Sequence, residues 1–275
     1  MQTATSIIDA NVKVHTRLAA TYEATEPHFR PENMAKVRSH LMQLAGQRTG
    51  RLLDMGCGTG FIISLARDLF SRVDGVDVTQ AMLDQVDMSS GNVFVHQATV
   101  EDLPFLDSAF DVVTGYAFLH HLKDYEVAIK QAYRVLKPGG CAYFDLDPNR
   151  RYWQMLSQTE PRSDAAGNAI VVREIASVLH VDERIEAEYG IDRETFNNAE
   201  YTKAMLGGID PDEFAKSATE AGFAQCVITP QWFMGQGHVM HQQSFEAAEQ
   251  VDAYLRSVLP CSLPMFKYLR FDLIK

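Results

Sequence analysis

The nine residues LLDMGCGTG, Leu52 to Gly60, constrain this chain more than any other stretch. An apolar, strand-like run ends on Asp54, and three of the next six residues are glycine. Glycine weakens the interior of a strand or helix, so a cluster of it marks a place where φ turns positive or where something must approach the backbone closely. The stretch therefore reads either as a bare tight turn between a strand and a helix or as such a turn carrying a nucleotide-like ligand.

The surrounding pattern supplies the frame for that turn. Arg51 to Met55 reads as a buried strand, and Phe61 to Phe70 carries helix-spaced apolar residues. RVDGVDV ends a second strand at Asp77, with Thr79 as the N-cap of the helix that follows. NVFVHQ and FDVVTGYAF are a third and fourth strand, Glu126 to Leu136 is a helix stopped by KPGG, and Cys141 to Asp147 is a fifth strand. Strands alternating with helices imply a parallel sheet wound on both faces, hence the α/β class. After Asn149 the rhythm breaks: residues 150 to about 206 are charge-rich and helical, with IVVREIASVL the clearest amphipathic run, as expected of a helical cap insertion. The α/β pattern resumes over 207–275, with a helix from Asp210 to Gly222 and strands at Gln225 to Phe233 and FKYLRFDLIK. At 275 residues and 46% hydrophobic, the chain can bury one large core with a subdomain. There is no internal repeat and no low-complexity tract.

In open α/β sheets, ligands bind at the carboxyl edge, where the glycine turn falls. A dinucleotide fingerprint would require G-x-G-x-x-G. Here the spacing is Gly56, Gly58, Gly60, with Phe61 where the third glycine would stand. The carboxylate of Asp54 would repel a pyrophosphate and attract an ammonium group.

LLDMGCGTGF resembles the first motif of class I S-adenosylmethionine-dependent methyltransferases. GVDVTQAML resembles the second, ATVEDLPFLDSAFDVV the third and fourth, and AYRVLKPGGCAYF the segment leading into the fifth strand. Arg51 to Asp147 is similar in pattern to the small-molecule enzymes of ubiquinone and menaquinone biosynthesis. The resemblance implies a Rossmann-like, doubly wound, seven-stranded sheet with only the last strand antiparallel, and S-adenosylmethionine as cofactor. It implies that Asp54 reaches the methionine ammonium and that Gly56, Cys57, Gly58 and Gly60 form the loop beneath the cofactor. Asp77 would bind both ribose hydroxyls, a charge-assisted pairing, and Val78 and Met82 would pack on adenine. Thr99 stands where relatives often have an acidic adenine ligand, so that contact passes to the Val100 or Glu101 backbone. The N-terminal segment, residues 1–50, would lie as a lid over the cofactor, with Tyr22 near its methionine end, His28 beside it and Arg30 on its carboxylate.

A sulfonium methyl is already activated, so the site must align a nucleophile and exclude water. Candidate acceptor-side residues sit at the carboxyl edge: Tyr116, His120 and His121 after the fourth strand, and Asp145, Asp147 and Asn149 after the fifth. The sixth strand's exit, WFMGQGHVMHQQ, would bring His238 and His241 toward the substrate. His238 or His241 is the favoured proton acceptor, followed by His28 and Asp147. A metal on the His238/His241 pair lacks an evident third ligand, so none is expected.

The formal net charge of −11 disfavours a polyanionic partner. No apolar run reaches bilayer length, the start lacks a signal-peptide layout, and four scattered cysteines suit a reducing cytosol. The expectation is a cytoplasmic monomer or homodimer that methylates O, N, S or C of a small molecule, with neither nucleic-acid nor membrane partner. A protein or nucleic-acid methyltransferase is the alternative, disfavoured by charge and by the lack of an (N/D)PP(Y/F) sequence after the fourth strand. So is a non-catalytic cofactor-binding module, disfavoured by the intact loop.

Overall fold

The computed structural model describes residues 3–46, 48–160 and 168–275. Residues 161–167, part of the expected cap, lie outside the described residues. Seven strands form one sheet: β1 (Arg51–Met55), β2 (Arg72–Asp77), β3 (Val93–Gln97), β4 (Phe110–Tyr116), β5 (Leu136–Pro148), β6 (Gln225–Phe233) and β7 (Phe266–Ile274). Their order is β3-β2-β1-β4-β5-β7-β6. β7 is antiparallel to both neighbours, and the other pairings are parallel. The strand order reverses between β1 and β4, which places the switch point beside the glycine turn.

Helices α1 (Ala4–Leu18), α2 (Tyr22–Thr25) and α3 (Pro31–Ala45) precede the sheet; α4 (Phe61–Ala66), α5 (Gln80–Leu83) and α6 (Tyr125–Val135) connect its parallel strands. The described residues of the segment after β5 hold five helices joined by short turns: α7 (Arg150–Ser157), α8 (Asn168–Leu179), α9 (Val181–Tyr189), α10 (Arg193–Ala199) and α11 (Tyr201–Leu206). The fold then returns to the sheet through α12 (Pro211–Ala221), and α13 (Gln236–Gln242) and α14 (Phe245–Ser257) separate β6 from β7.

Two apolar layers sandwich the sheet. One packs α6 and α12 residues such as Ile129, Ala132 and Phe214 under Leu53, Val113 and Phe271. The other packs Val37 and Leu41 of α3 and Ile62 of α4 on Leu52, Val73 and Val112. A third cluster ties Ala10 and Val14 of α1 to Ile185, Phe196 and Ala199, so the N-terminal helix and the helices after β5 share one layer above the carboxyl edge.

Two local readings differ from expectation. KPGG does not precede the fifth strand but lies within it: Leu136 already pairs with Phe110, and the register shifts before Val112 meets Cys141. Gly139, at φ +74°, absorbs that bulge. Thr79 precedes α5 but makes no side-chain cap; its backbone N–H instead donates to Asp77. The caps expected for α12 are present: Asp210 accepts from the N–H groups of Asp212 and Glu213, and Gly222 closes the helix at φ +108°.

Candidate active site

β1 and β2 end side by side, Asp54 opposite Gly75, so their terminal carboxylates flank the glycine loop. The loop holds Gly56 at φ +66° and Gly58 at φ +51°, the left-handed region that penalises a Cβ. A Cβ on Gly56 would sit 2.1 Å from the Phe118 ring, whereas one on Gly58 would meet nothing within 4 Å. Gly56 is thus needed for packing, and Gly58 faces open space.

That space is a cleft of about 1070 Å³, mouth included. Asp54, Gly56, Cys57, Gly58, Asp77, Val78 and Met82 line it, as do Tyr22, His28, Val100, Glu101 and Tyr116. Asp77 fixes the loop: its Oδ2 accepts from the Gly58 N–H at 3.0 Å and its Oδ1 from the Thr79 N–H at 2.8 Å. Asp54 is almost fully buried and accepts a 2.8 Å hydrogen bond from the Thr114 hydroxyl. Burial pushes its carboxyl up to about 7 despite that bond, and the Asp77 charge adds to the rise. A buried carboxylate facing a cleft in this condition favours a cationic ligand. Cys57 is buried with its thiol pushed well up, so it is an unreactive lining group.

Several expected cofactor residues stand elsewhere. Gly60 supports the fold: a Cβ there would press on Val86 at 3.3 Å, and Gly60 is absent from the cleft wall. Thr99 is the extended residue before a 3-10 turn at Val100–Asp102; Ala98, Val100 and Glu101 reach the cleft and Thr99 does not. Arg30 faces a second cavity rather than the cleft. Arg30 follows the 3-10 segment Pro27–Phe29 as an extended residue, and His28 within that segment reaches the cleft while Arg30 does not.

The second cavity, about 950 Å³ with its mouth, lies at the ends of β5, β6 and β7. Trp232, Phe233 and Tyr268 give it aromatic walls, and Arg30, Glu32 and Lys267 give it charged groups, with His241 beside them. Three non-glycine residues adopt positive φ near the exits of β4, β5 and β6: Ala117 (+50°), Leu146 (+63°) and Trp232 (+58°). Ala117 borders the cleft, and Leu146 and Trp232 border the cavity. Such strain concentrates at ligand sites.

His28 lines both spaces. Asn33 helps to fix the partition between them, its side-chain N–H donating to the Tyr116 hydroxyl at 2.9 Å and to the His28 carbonyl at 3.0 Å. Burial lowers the His28 imidazole to about 4, so it is neutral at neutral pH. Its Nδ1 lies 3.8 Å from a Glu26 carboxylate oxygen.

The other acceptor-side candidates divide. His241 borders the second cavity; His238 is exposed and borders neither space. Of the pair expected near the substrate, His241 alone borders one of the two spaces. Asp147 is buried beneath His120, with Oδ1 2.9 Å from His120 Nδ1. Asp145 accepts from the Tyr143 hydroxyl at 2.6 Å, and Asn149 caps α7, so both serve the scaffold. His121 reaches the cleft wall; burial lowers it to about 3 and His120 to about 4.

The roof of the cleft is made by Ile7, Ile8, Asn11 and His15 of α1, residues within the expected lid segment that the sequence did not single out. Asn11 joins it to the floor by donating to the His121 carbonyl at 3.3 Å. The capping pair Thr3 and Ser6 announces a helix start, but no local signal says what the helix covers.

This is the fold of class I, Rossmann-like methyltransferases, with the ligand cleft at its switch point. Residues 53–144 match the family model described as "Methyltransferase domain", a third of the chain, and the motifs there resemble those of quinone-biosynthesis methyltransferases. Over 102 residues the chain is 35% identical to demethylmenaquinone methyltransferase of Chlorobaculum parvum, covering 37% of this chain and 42% of that one. Over 145 residues it is 31% identical to a probable S-adenosylmethionine-dependent methyltransferase of Mycolicibacterium smegmatis, covering 52% and 56%. The chain thus spans about half the length of the curated relatives it matches. Among solved structures, a Thermotoga maritima protein titled an S-adenosylmethionine-dependent methyltransferase, possible histamine N-methyltransferase, superposes with a TM-score of 0.54 at 18% identity. It covers 96% of this chain and 99% of that one, a likeness of fold alone.

Proposed function

We propose that this chain is an S-adenosylmethionine-dependent methyltransferase acting on a small planar acceptor. The observation that carries the reading is the pairing of open space above Gly58 with two carboxylates at adjacent strand ends, Asp54 and Asp77. Gly58 leaves room for a ligand against the backbone, and the desolvated Asp54 favours an ammonium group. Asp77 is anchored by backbone N–H groups, and each oxygen retains a lone pair for a ribose hydroxyl. Val78, Met82, Val100 and Glu101 would border the adenine, and Tyr22 the methionine end.

When bound, the cofactor supplies a methyl group already activated on a sulfonium. The chain's part is then to place the acceptor and exclude water. The aromatic faces of Trp232, Phe233 and Tyr268 suit a planar ring in the second cavity, across the His28–Tyr116 partition. His28 would take the acceptor's proton, and Glu26 would stabilise the resulting imidazolium. Its low basicity at rest keeps His28 neutral and ready to accept. The helices after β5, with α1, would form the cap that sets acceptor identity.

The test is calorimetric titration with S-adenosylhomocysteine. The parent is expected to bind one equivalent, and Asp77→Asn to weaken binding roughly ten- to a hundredfold, as for loss of charge-assisted hydrogen bonds worth about 1.5–3 kcal/mol. A parent that does not bind, or a variant of parental affinity, would refute the assignment.

A further inference from the structure

The turn after β4 carries two adjacent imidazoles under the helices that follow β5. His120 Nδ1 sits 2.9 Å from Asp147 Oδ1; because a carboxylate accepts, that nitrogen carries the proton and Nε2 keeps the lone pair. His120 Nε2 lies 3.7 Å from Glu200 Oε2. His121 Nδ1 lies 2.8 Å from the Ala199 carbonyl oxygen and 3.7 Å from Glu200 Oε1; because a carbonyl accepts, this Nδ1 too carries the proton and Nε2 keeps the lone pair. His120, His121 and Glu200 each offer one ligating atom within 4.8 Å of the other two.

Asp147 is fully buried, burial pushes its carboxyl well up, and its Oδ2 has no hydrogen-bond partner among the described residues. Glu200 is also buried, and its close partner is the Lys203 ammonium. A polar atom buried without a partner is costly, so the cluster is more polar than its packing alone requires.

We propose that His120, His121 and Glu200 form a binding site for one divalent transition-metal ion, with Asp147 holding His120 in its ligating tautomer. Two imidazoles and one carboxylate suit Zn²⁺, Co²⁺ or Fe²⁺ over Mg²⁺ or Ca²⁺, which favour oxygen ligands. A histidine whose other ring nitrogen donates to a carboxylate is the usual support for a metal ligand. Bonds of about 2.0–2.2 Å set donors roughly 3.3 Å apart in a tetrahedron, so the three ligands close by about 1 Å on binding. Lys203 gives way to the ion: its side chain is 20% exposed and borders a further cavity beside Glu200. His121 also borders the ligand cleft, which places the ion at the wall of that cleft.

The probe is Co²⁺ added to the chelator-treated full chain, followed by its visible d–d absorption, with Zn²⁺ calorimetry in parallel. One ion per chain is expected. His120→Ala and Glu200→Gln should each lose at least tenfold in affinity, and Asp147→Asn roughly ten- to a hundredfold. Lys203→Met should bind more tightly, because it removes the competing cation. This last variant keeps the test decisive if an interior substitution fails to fold. Sub-stoichiometric binding, affinity within twofold of the parent in both ligand variants, or no gain in Lys203→Met would overturn the proposal. None of these readouts depends on turnover, and S-adenosylhomocysteine titration of the same samples reports separately on the methyltransferase reading.

Discussion

Gly58→Ala separates ligand binding from folding at a single position. The residue sits at φ +51°, where a Cβ costs about 1–2 kcal/mol of backbone strain. No protein atom lies within 4 Å of the added methyl, so no packing penalty joins the strain. For a chain of this size, that loss corresponds to a fall in melting temperature of roughly 2–8 °C. The methyl instead projects into the cleft, where a ligand approaching the backbone would meet it. Gly56→Ala inverts the pattern: its methyl would lie 2.1 Å from the Phe118 ring at φ +66°, adding an overpacking cost of about 1–3 kcal/mol to a similar strain. Thermal melts and S-adenosylhomocysteine calorimetry on both variants give the comparison. Gly58→Ala should fold with the smaller loss of stability and bind at least about tenfold more weakly, equivalent to about 1.4 kcal/mol. Affinity within twofold of the parent in a folded Gly58→Ala variant would refute the argument that the ligand rests on this loop.

Asp54 predicts a pH signature. Its carboxyl is raised from the ordinary value near 3.9 to about 7, so between those limits the folded apo chain holds a proton that the unfolded chain has released. Its contribution therefore falls as pH rises from about 4 to 7, and Asp54→Asn should lack that decline. Melting temperatures of both across this window check it; a parent–variant difference independent of pH would contradict the raised value. In turnover assays once an acceptor is identified, His238→Ala should leave kcat and KM within twofold of the parent, because His238 borders neither space. His241→Ala should raise the acceptor KM without changing cofactor affinity, and a rise in both constants would place the cavity's rim in cofactor binding instead.

The strands and the helices between the first five of them were legible in the sequence because their signals are contiguous, whereas α13 and α14 were not read. Buried parallel strands are short apolar runs, their exits are marked by glycine or aspartate, and α12 announces both of its caps in Asp210 and Gly222. The same locality made part of the cleft wall readable: Asp54 and Asp77 stand at strand ends whose position in a parallel sheet follows from the alternation itself, with Gly58 in the turn between them. The second cavity was not readable, because its lining depends on which face of an irregular segment turns inward. A 3-10 turn sends His28 into the partition and Arg30 into the second cavity, and α13 carries His238 away from the site. No spacing in the sequence relates His121 to Ala199, or His120 to Glu200, residues separated by about eighty positions and joined only when the helices after β5 close over the edge. The sequence by itself therefore determined the sheet and the glycine-loop carboxylates, through local backbone preference. Tertiary packing alone decided the roof, the partition and the buried histidine–carboxylate cluster, because each is a meeting of side chains from segments with no local reason to face one another.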